Sequence, residues 1–307
     1  MISQMLQLMG EMLVLMVIGL VIRAIGIVTD EGKKCLTDLI LYVILPCNIV
    51  KAFMNQSGSL AEIGSAMGIV LVISILIQIL CTIIGYTCYP MMNAEEKPVF
   101  QYGTVCSNAG FMGNPMTQAV FGDLGLLYAS VYLIPQRIVM WTAGVSYFAK
   151  GSDKKGLIKK VLVHPCLVAV YIGMFLMLTS LPLPGFLDKT VSALSSCTTA
   201  MTMVYIGTIL YDVEWKTILS AKQIYYAILR LILIPLIVYI PCRLLQLDAL
   251  VTGVSVFLAA MPAGSTTSLL AMKYHADEET AAKCVVLTTT LSAFTLPLWG
   301  MVLTAAL

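Results

Sequence analysis

Ten stretches of mostly apolar residues follow one another along this 307-residue chain, near 4–27, 35–54, 63–88, 99–120, 125–148, 161–181, 187–211, 219–241, 249–272 and 280–305. A helix needs about 20 such residues to cross the hydrocarbon core of a bilayer. With no water there, only helices or closed barrels satisfy their own backbone. Ten spans leave roughly 100 residues for loops and ends, too few for a sizeable soluble domain. Composition agrees: 59% of residues are hydrophobic and 11% charged, against about 45–50% and about 25% in soluble proteins. The net charge of +2 and the absence of a basic stripe interleaved with aromatics give no basis for nucleic-acid binding. Nine cysteines are scattered singly with no CxxC pair, so they read as small buried hydrophobes rather than a disulfide or metal framework. The first residues, MISQMLQLMGEML, lack the basic start of a secretory signal and carry Glu11 inside the apolar run. They read as a retained first span.

Basic residues set the orientation. The loops after spans one, three, five, seven and nine carry thirteen of them: Arg23, Lys33, Lys34, Lys97, Lys150, Lys154, Lys155, Lys159, Lys160, Lys216, Lys222, Lys273 and Lys283. The opposite side carries Lys51, Lys189 and Arg243. This bias places the polar connection 149–160, AKGSDKKGLIKK, in the cytoplasm of a cell-membrane protein and both termini outside. The same loop divides the chain into halves of five spans, 1–148 and 161–307. An odd number of spans per half forces the halves into opposite orientations, the geometry of an inverted repeat. The letters alone do not show internal similarity.

Two spans hold helix-breaking clusters at matching places in their halves. Ser107 to Pro115, SNAGFMGNP, packs two glycines, two asparagines and a proline into the fourth span, and Met261 to Ser268, MPAGSTTS, packs a proline, a glycine and four hydroxyls into the ninth. Such clusters free backbone groups at membrane depth, which is tolerable only where protein or a water-filled cavity takes them up. Paired interruptions are the best sequence pointer to a transporter binding site. Half-helix N-termini offer N–H groups and a positive dipole end to an anion, and half-helix C-termini offer carbonyls to a cation. The plainer reading is that prolines and glycines kink packed helices.

These clusters carry a resemblance. NAGFMGNP in the fourth span, PQRIVMW in the fifth, and AAMPAGSTTSLLAMKYHADEETAAKCVVLTTTLSAFTLPL from Ala259 to Leu298 resemble the auxin efflux carrier family, which includes bacterial members and the plant PIN-FORMED proteins. The specific motifs cover about a fifth of the chain, and the hydropathy pattern covers nearly all of it. The family is similar in fold to sodium/bile-acid symporters. The resemblance implies an all-α membrane protein of two inverted five-helix repeats, with broken helices four and nine crossing at the substrate site near Pro115 and Pro262. It also implies a scaffold part, approximately 1–60 and 161–211, and a moving transport part, approximately 61–148 and 217–307. Substrates in the family are small organic anions, malonate and malate among bacterial relatives and auxin in plants. The short central loop argues against the regulation seen in plant members and against auxin as the natural substrate.

The candidate substrate-binding residues are Asn108, Gly110, Gly113, Asn114 and Pro115 of the first cluster and Pro262, Gly264, Ser265, Thr266 and Thr267 of the second. Arg137, half-way through the fifth span, is a candidate carboxylate clamp, with a structural partner role as the equal alternative; Gln136 and Trp141 share its neighbourhood. Asn48, after Pro46, either faces the crossover from the scaffold or makes an interhelical hydrogen bond. Glu11 is a candidate proton carrier, with an interfacial position as the plainer reading. Arg230, at the start of the eighth span's apolar run, is expected to snorkel to the cytoplasmic surface, with substrate contact as the less favoured alternative. His164 and His275 lie near the cytoplasmic face, and Asp277, Glu278 and Glu279 are expected to cap and complement the last helix. The methionines at 1, 5, 9, 12 and 16 read as a packing or lipid-facing stripe.

The reading is a secondary transporter of a small organic anion. No P-loop is present, so ATP is not the expected driver. No cofactor is expected, and coupling to protons or sodium stays open, as does homodimerisation through the scaffold part. A membrane enzyme is disfavoured because no HExxH, GxSxG or paired-aspartate motif lies in a span. A sensor or binding protein that kept the transporter fold without net transport is the alternative. The charge bias makes one prediction: a protease site inserted at 149–160 is cut in inside-out vesicles and protected in right-side-out ones. Cleavage only in right-side-out vesicles would reverse the orientation.

Overall fold

The computed structural model describes residues 2–54, 60–148, 163, 165–179, 181–211, 218–264, 266–274 and 276–305. The central loop 149–160, His164, Ser265 and His275 lie outside the described residues, as does the side chain of Trp141. Among the described residues the chain is all-helical, with one isolated backbone bridge and no strand. The first half contains α1 (Ile2–Ala24), α2 (Asp30–Leu39), α3 (Leu45–Met54), α4 (Leu60–Thr87), α5 (Lys97–Val105), α6 (Asn114–Val139) and α7 (Val145–Phe148). The second contains α8 (Pro165–Thr179), α9 (Gly185–Ser196), α10 (Thr198–Tyr211), α11 (Ala221–Ile228), α12 (Ile234–Leu244), α13 (Ala249–Ala259), α14 (Thr266–Lys273) and α15 (Glu278–Ala305). Among the described residues, five helical stretches are long and apolar enough to cross a membrane: Asp30–Met54, Ile63–Thr87, Asn114–Val139, Ala221–Leu244 and Glu278–Leu303.

Proline explains why several helices widen without ending. Five-residue turns of π-helix occupy Ile40–Ile44, Ala109–Gly113 and Leu229–Leu233, and each is followed two residues on by a proline, Pro46, Pro115 or Pro235. A proline offers no N–H and its ring pushes away the carbonyl four residues earlier, so the helix widens locally to relieve the clash. The carbonyl four residues before Pro235 is that of Leu231, and it accepts a hydrogen bond from Trp299 Nε1 at 2.9 Å. A fourth such turn, Met140–Gly144, continues α6 into α7. Inside α6 the helix kinks at Gly122, whose φ is 71°, a conformation open to glycine at little cost. That kink falls between the fourth and fifth apolar stretches of the sequence.

Packing is tightest where α1 crosses α10. A Cβ on Gly207 would lie 2.9 Å from the Cα of Gly19 and would overlap the Met16 carbonyl, so the two backbones touch. Small residues allow such close approach between membrane helices. In the other half α8 packs on α3, where Phe53 would meet a Cβ on Gly173 at 2.9 Å. Ion pairs join Lys51 to Asp188 at 2.8 Å and Lys222 to Glu96 at 2.7 Å. The Asp277 carboxylate accepts the Thr280 N–H at 2.8 Å immediately before α15, the cap expected from the sequence. All nine cysteines are free, and five of them are buried. Large apolar side chains such as Leu76, Phe294 and Leu298 are exposed, an outward-facing surface suited to lipid rather than water.

The α1–α10 crossing yields a prediction. Gly207→Val forces the helices apart and lowers stability by about 1–3 kcal/mol, read as a lower thermal midpoint in detergent. A midpoint equal to that of the unmodified protein would contradict the backbone contact.

Candidate substrate site at a backbone crossover

The two helix-breaking clusters meet. Helix α5 ends at Val105, α13 ends at Ala259, and the unwound stretches 106–108 and 262–264 run antiparallel across each other. The Asn108 N–H donates to the Pro262 carbonyl at 2.8 Å and the Gly264 N–H donates to the Cys106 carbonyl at 2.9 Å, on either side of the Ser107–Ala263 bridge. Each break thereby supplies partners for backbone groups that the other has released. Remaining groups are met by side chains: the Ala263 N–H donates to Thr288 Oγ1 at 3.1 Å, and Gln136 Nε2 donates to the Ser107 carbonyl at 2.7 Å. Ser107 Oγ completes that pairing by donating to Gln136 Oε1 at 3.1 Å. A Cβ on Gly264 would stand 3.0 Å from the Cys106 carbonyl oxygen, which is why this position is small.

Beyond the crossover both chains become helical again. The Asn108 carbonyl accepts the N–H groups of Met112 and Gly113 at 3.0 and 3.2 Å, and the Gly264 carbonyl accepts that of Thr267 at 2.9 Å. The N–H groups of a first turn have no acceptor within their own helix and carry partial positive charge. Asn108 stands at the start of the first restart, and its side chain makes no capping bond. Tyr102 Oη donates to Thr266 Oγ1 at 3.2 Å, tying α5 to the start of α14.

Around these restarts lie polar groups that the protein leaves unpaired. Asn114 is fully buried and neither amide atom has a hydrogen-bond partner, and the same holds for Thr267 Oγ1. Arg137 is 6% exposed, its Nη1 has no partner, and its Nη2 would lie 3.9 Å from a Cβ on Gly110. Its neighbour Gln136 is held by Ser107, which fixes the turn of α6 that carries the guanidinium. Gly113 packs on Leu258 of α13, with 2.7 Å from its ideal Cβ to Leu258 Cδ2, and Pro115 opens α6. The structure thus gathers Asn108, Gly110, Gly113, Asn114, Pro115, Gln136, Arg137, Pro262, Gly264, Thr266 and Thr267 around one crossover. Asn48 instead accepts a hydrogen bond from Ser195 Oγ at 2.8 Å, the interhelical bond weighed above, while its Nδ2 is unpaired. Glu11 is exposed on α1.

One expectation is overturned. Arg230 does not reach the surface: it is 3% exposed, because the turn Leu229–Leu233 ahead of Pro235 buries it between helices. Arg137 and Arg230 are the buried charged residues among the described ones, and no carboxylate is buried with them. Sequence reasoning also passed over Tyr102 on α5, which leads into the crossover, and Thr288 and Tyr226, which pack against it from α15 and α11.

The comparisons with known proteins identify the family of the chain. The family described as membrane transport protein matches the chain over residues 4–157 and 154–300. The chain therefore belongs to this family, that of the auxin efflux carriers. It is similar to an uncharacterized transporter of Methanocaldococcus jannaschii, with 24% identity over 95% of this chain and 96% of that protein. An uncharacterized transporter of Methanothermobacter thermautotrophicus is 25% identical over the same shares. The protein is a multi-pass membrane transporter.

Gln136 gives the prediction specific to this geometry. Gln136→Leu strands the Ser107 carbonyl and hydroxyl without partners and costs about 1–3 kcal/mol, seen as a lower thermal midpoint. An unchanged midpoint would show that the unwound segment does not depend on this amide.

Proposed function

We propose that the protein is a secondary transporter of a small organic anion, a mono- or dicarboxylate such as malate, malonate or an auxin-like acid, which it binds at the crossover and carries by an elevator-type shift. The observation that carries this reading is the buried Arg137 guanidinium, with an unpaired Nη1 and no buried carboxylate among the described residues. A charge held in an apolar interior without a partner is costly, and an incoming carboxylate supplies the bidentate partner an arginine fits. The restarted helices after Asn108 and Gly264 add dipoles of the same sign, and Asn114 adds an unpaired amide.

The proposed architecture is ten spans in two inverted repeats with both termini outside. It is supported by reciprocal packing, since α1 of the first half rests on α10 of the second while α8 of the second rests on α3 of the first. The ion pairs Lys51–Asp188 and Lys222–Glu96 each join residues that the charge bias assigns to one side. In this reading α1 to α3 and α8 to α10 form the scaffold, and the helices from α4 to α7 and from α11 to α15 move with the crossover.

The test is flux of radiolabelled malonate and malate into proteoliposomes. Arg137→Gln is expected to raise the half-saturating concentration roughly tenfold or more, the loss of one charged hydrogen-bonding group, and Arg137→Lys to recover only part of it because the fork is lost. Asn114→Leu is expected to weaken uptake with the protein still folded. Unchanged uptake in all three variants would remove the crossover as the substrate site.

A further inference from the structure

A second set of unpaired donors sits against the crossover. Arg230 Nε is buried without a hydrogen-bond partner, and so is the hydroxyl of Tyr226, one turn earlier in the same span. Gly103 of α5 makes room for that phenol: a Cβ there would overlap the Tyr226 hydroxyl and lie 3.2 Å from its Cζ and 3.7 Å from the Cβ of Ala263, the residue at the centre of the bridge. The Arg230 charge lies within electrostatic reach of Tyr226, Cys106, Cys81 and Tyr132, side chains of α11, the crossover, α4 and α6. Their surroundings differ from those of Arg137, which lies over Gly110.

We propose that Arg230 and Tyr226 form a second anion-coordinating point at the crossover, separate from Arg137. Both groups present N–H or O–H donors with nothing to donate to, and the guanidinium has no buried carboxylate to balance it among the described residues. An oxyanion or halide seated between them satisfies both donors and cancels the charge, whereas a cation finds only repulsion. Two sources share this chemistry: the far carboxylate of a dicarboxylate whose near end lies on Arg137, or a free anion such as chloride. The proposal takes from the reading above only the assignment of Arg137 to the first anion point.

Thermal unfolding of the purified full-length protein in nanodiscs, titrated separately with malonate, acetate and chloride against a buffer poor in small anions, tests it. The unmodified protein is expected to be stabilised by several degrees by malonate or chloride. Arg230→Gln is expected to remove the chloride response, or to reduce the malonate response to that of acetate, and Tyr226→Phe to weaken it. Without added anion Arg230→Gln is expected to be at least as stable as the unmodified protein, since an uncompensated charge has gone; this guards against simple misfolding. A chloride response that survives Arg137→Gln supports a free anion, and a malonate advantage over acetate that needs both arginines supports a dicarboxylate. If Arg230→Gln and Tyr226→Phe respond to all three anions as the unmodified protein does, while Arg137→Gln does not, the second point is overturned and the first stands. No response of the unmodified protein to any anion overturns both.

Discussion

Backbone amides cannot be left bare in an apolar interior, and the architecture around residues 106–108 and 262–264 follows from that requirement. Unwinding a membrane helix exposes N–H and C=O groups whose desolvation costs several kcal/mol apiece. Here each unwound stretch supplies partners to the other through the Asn108–Pro262 and Gly264–Cys106 bonds, and Thr288 and Gln136 take up groups these bonds leave over. Because the two breaks satisfy one another, neither is stable alone. A site of this kind needs one break from each half of the chain, at a depth where they coincide.

The crossover in turn determines the electrostatics. With backbone demands met locally, the half-helix starts and the side chains beside them keep their donors for something else. Arg137 and Arg230 are buried without a buried acid among the described residues, and Asn114 has both amide atoms unpaired. In the reading proposed here, such buried cations without buried anions are what an anionic ligand would balance. Gln136 and Arg137 show how adjacent residues divide the tasks, the amide holding the unwound chain and the guanidinium facing Gly110.

Much of this was legible in the sequence, and the exceptions have physical causes. The apolar stretches, the boundary at Gly122, the Asp277 cap and the clusters at Ser107–Pro115 and Met261–Ser268 each leave a local signature, either periodicity or a residue type with a restricted backbone. The same clusters carry the resemblance to the family, which the match over residues 4–157 and 154–300 establishes. Arg230 was misjudged because an arginine near the start of an apolar run usually snorkels, and only its burial in the folded chain shows that it does not. Thr288 and Tyr226 reach the crossover from helices distant in sequence, and Tyr102, on the helix that leads into it, bonds Thr266 of the other half, so no spacing rule could have marked them. The widened turns before Pro46 and Pro235 were implicit in the prolines, but the acceptance of the Trp299 N–H by Leu231 is a tertiary fact. The break at Cys197 between α9 and α10 sits in a run of serines and threonines that the hydropathy profile reads as continuous span.

The central claim is that the crossover is where the anion sits. It is tested most directly by cryo-electron microscopy of the protein in nanodiscs with saturating malonate, compared with a sample free of small anions. The account predicts added density within hydrogen-bonding distance of the Arg137 guanidinium and the Asn114 amide, bordered by the helix restarts after Asn108 and Gly264. Clear ligand density elsewhere in the molecule, with the crossover unchanged, would contradict it.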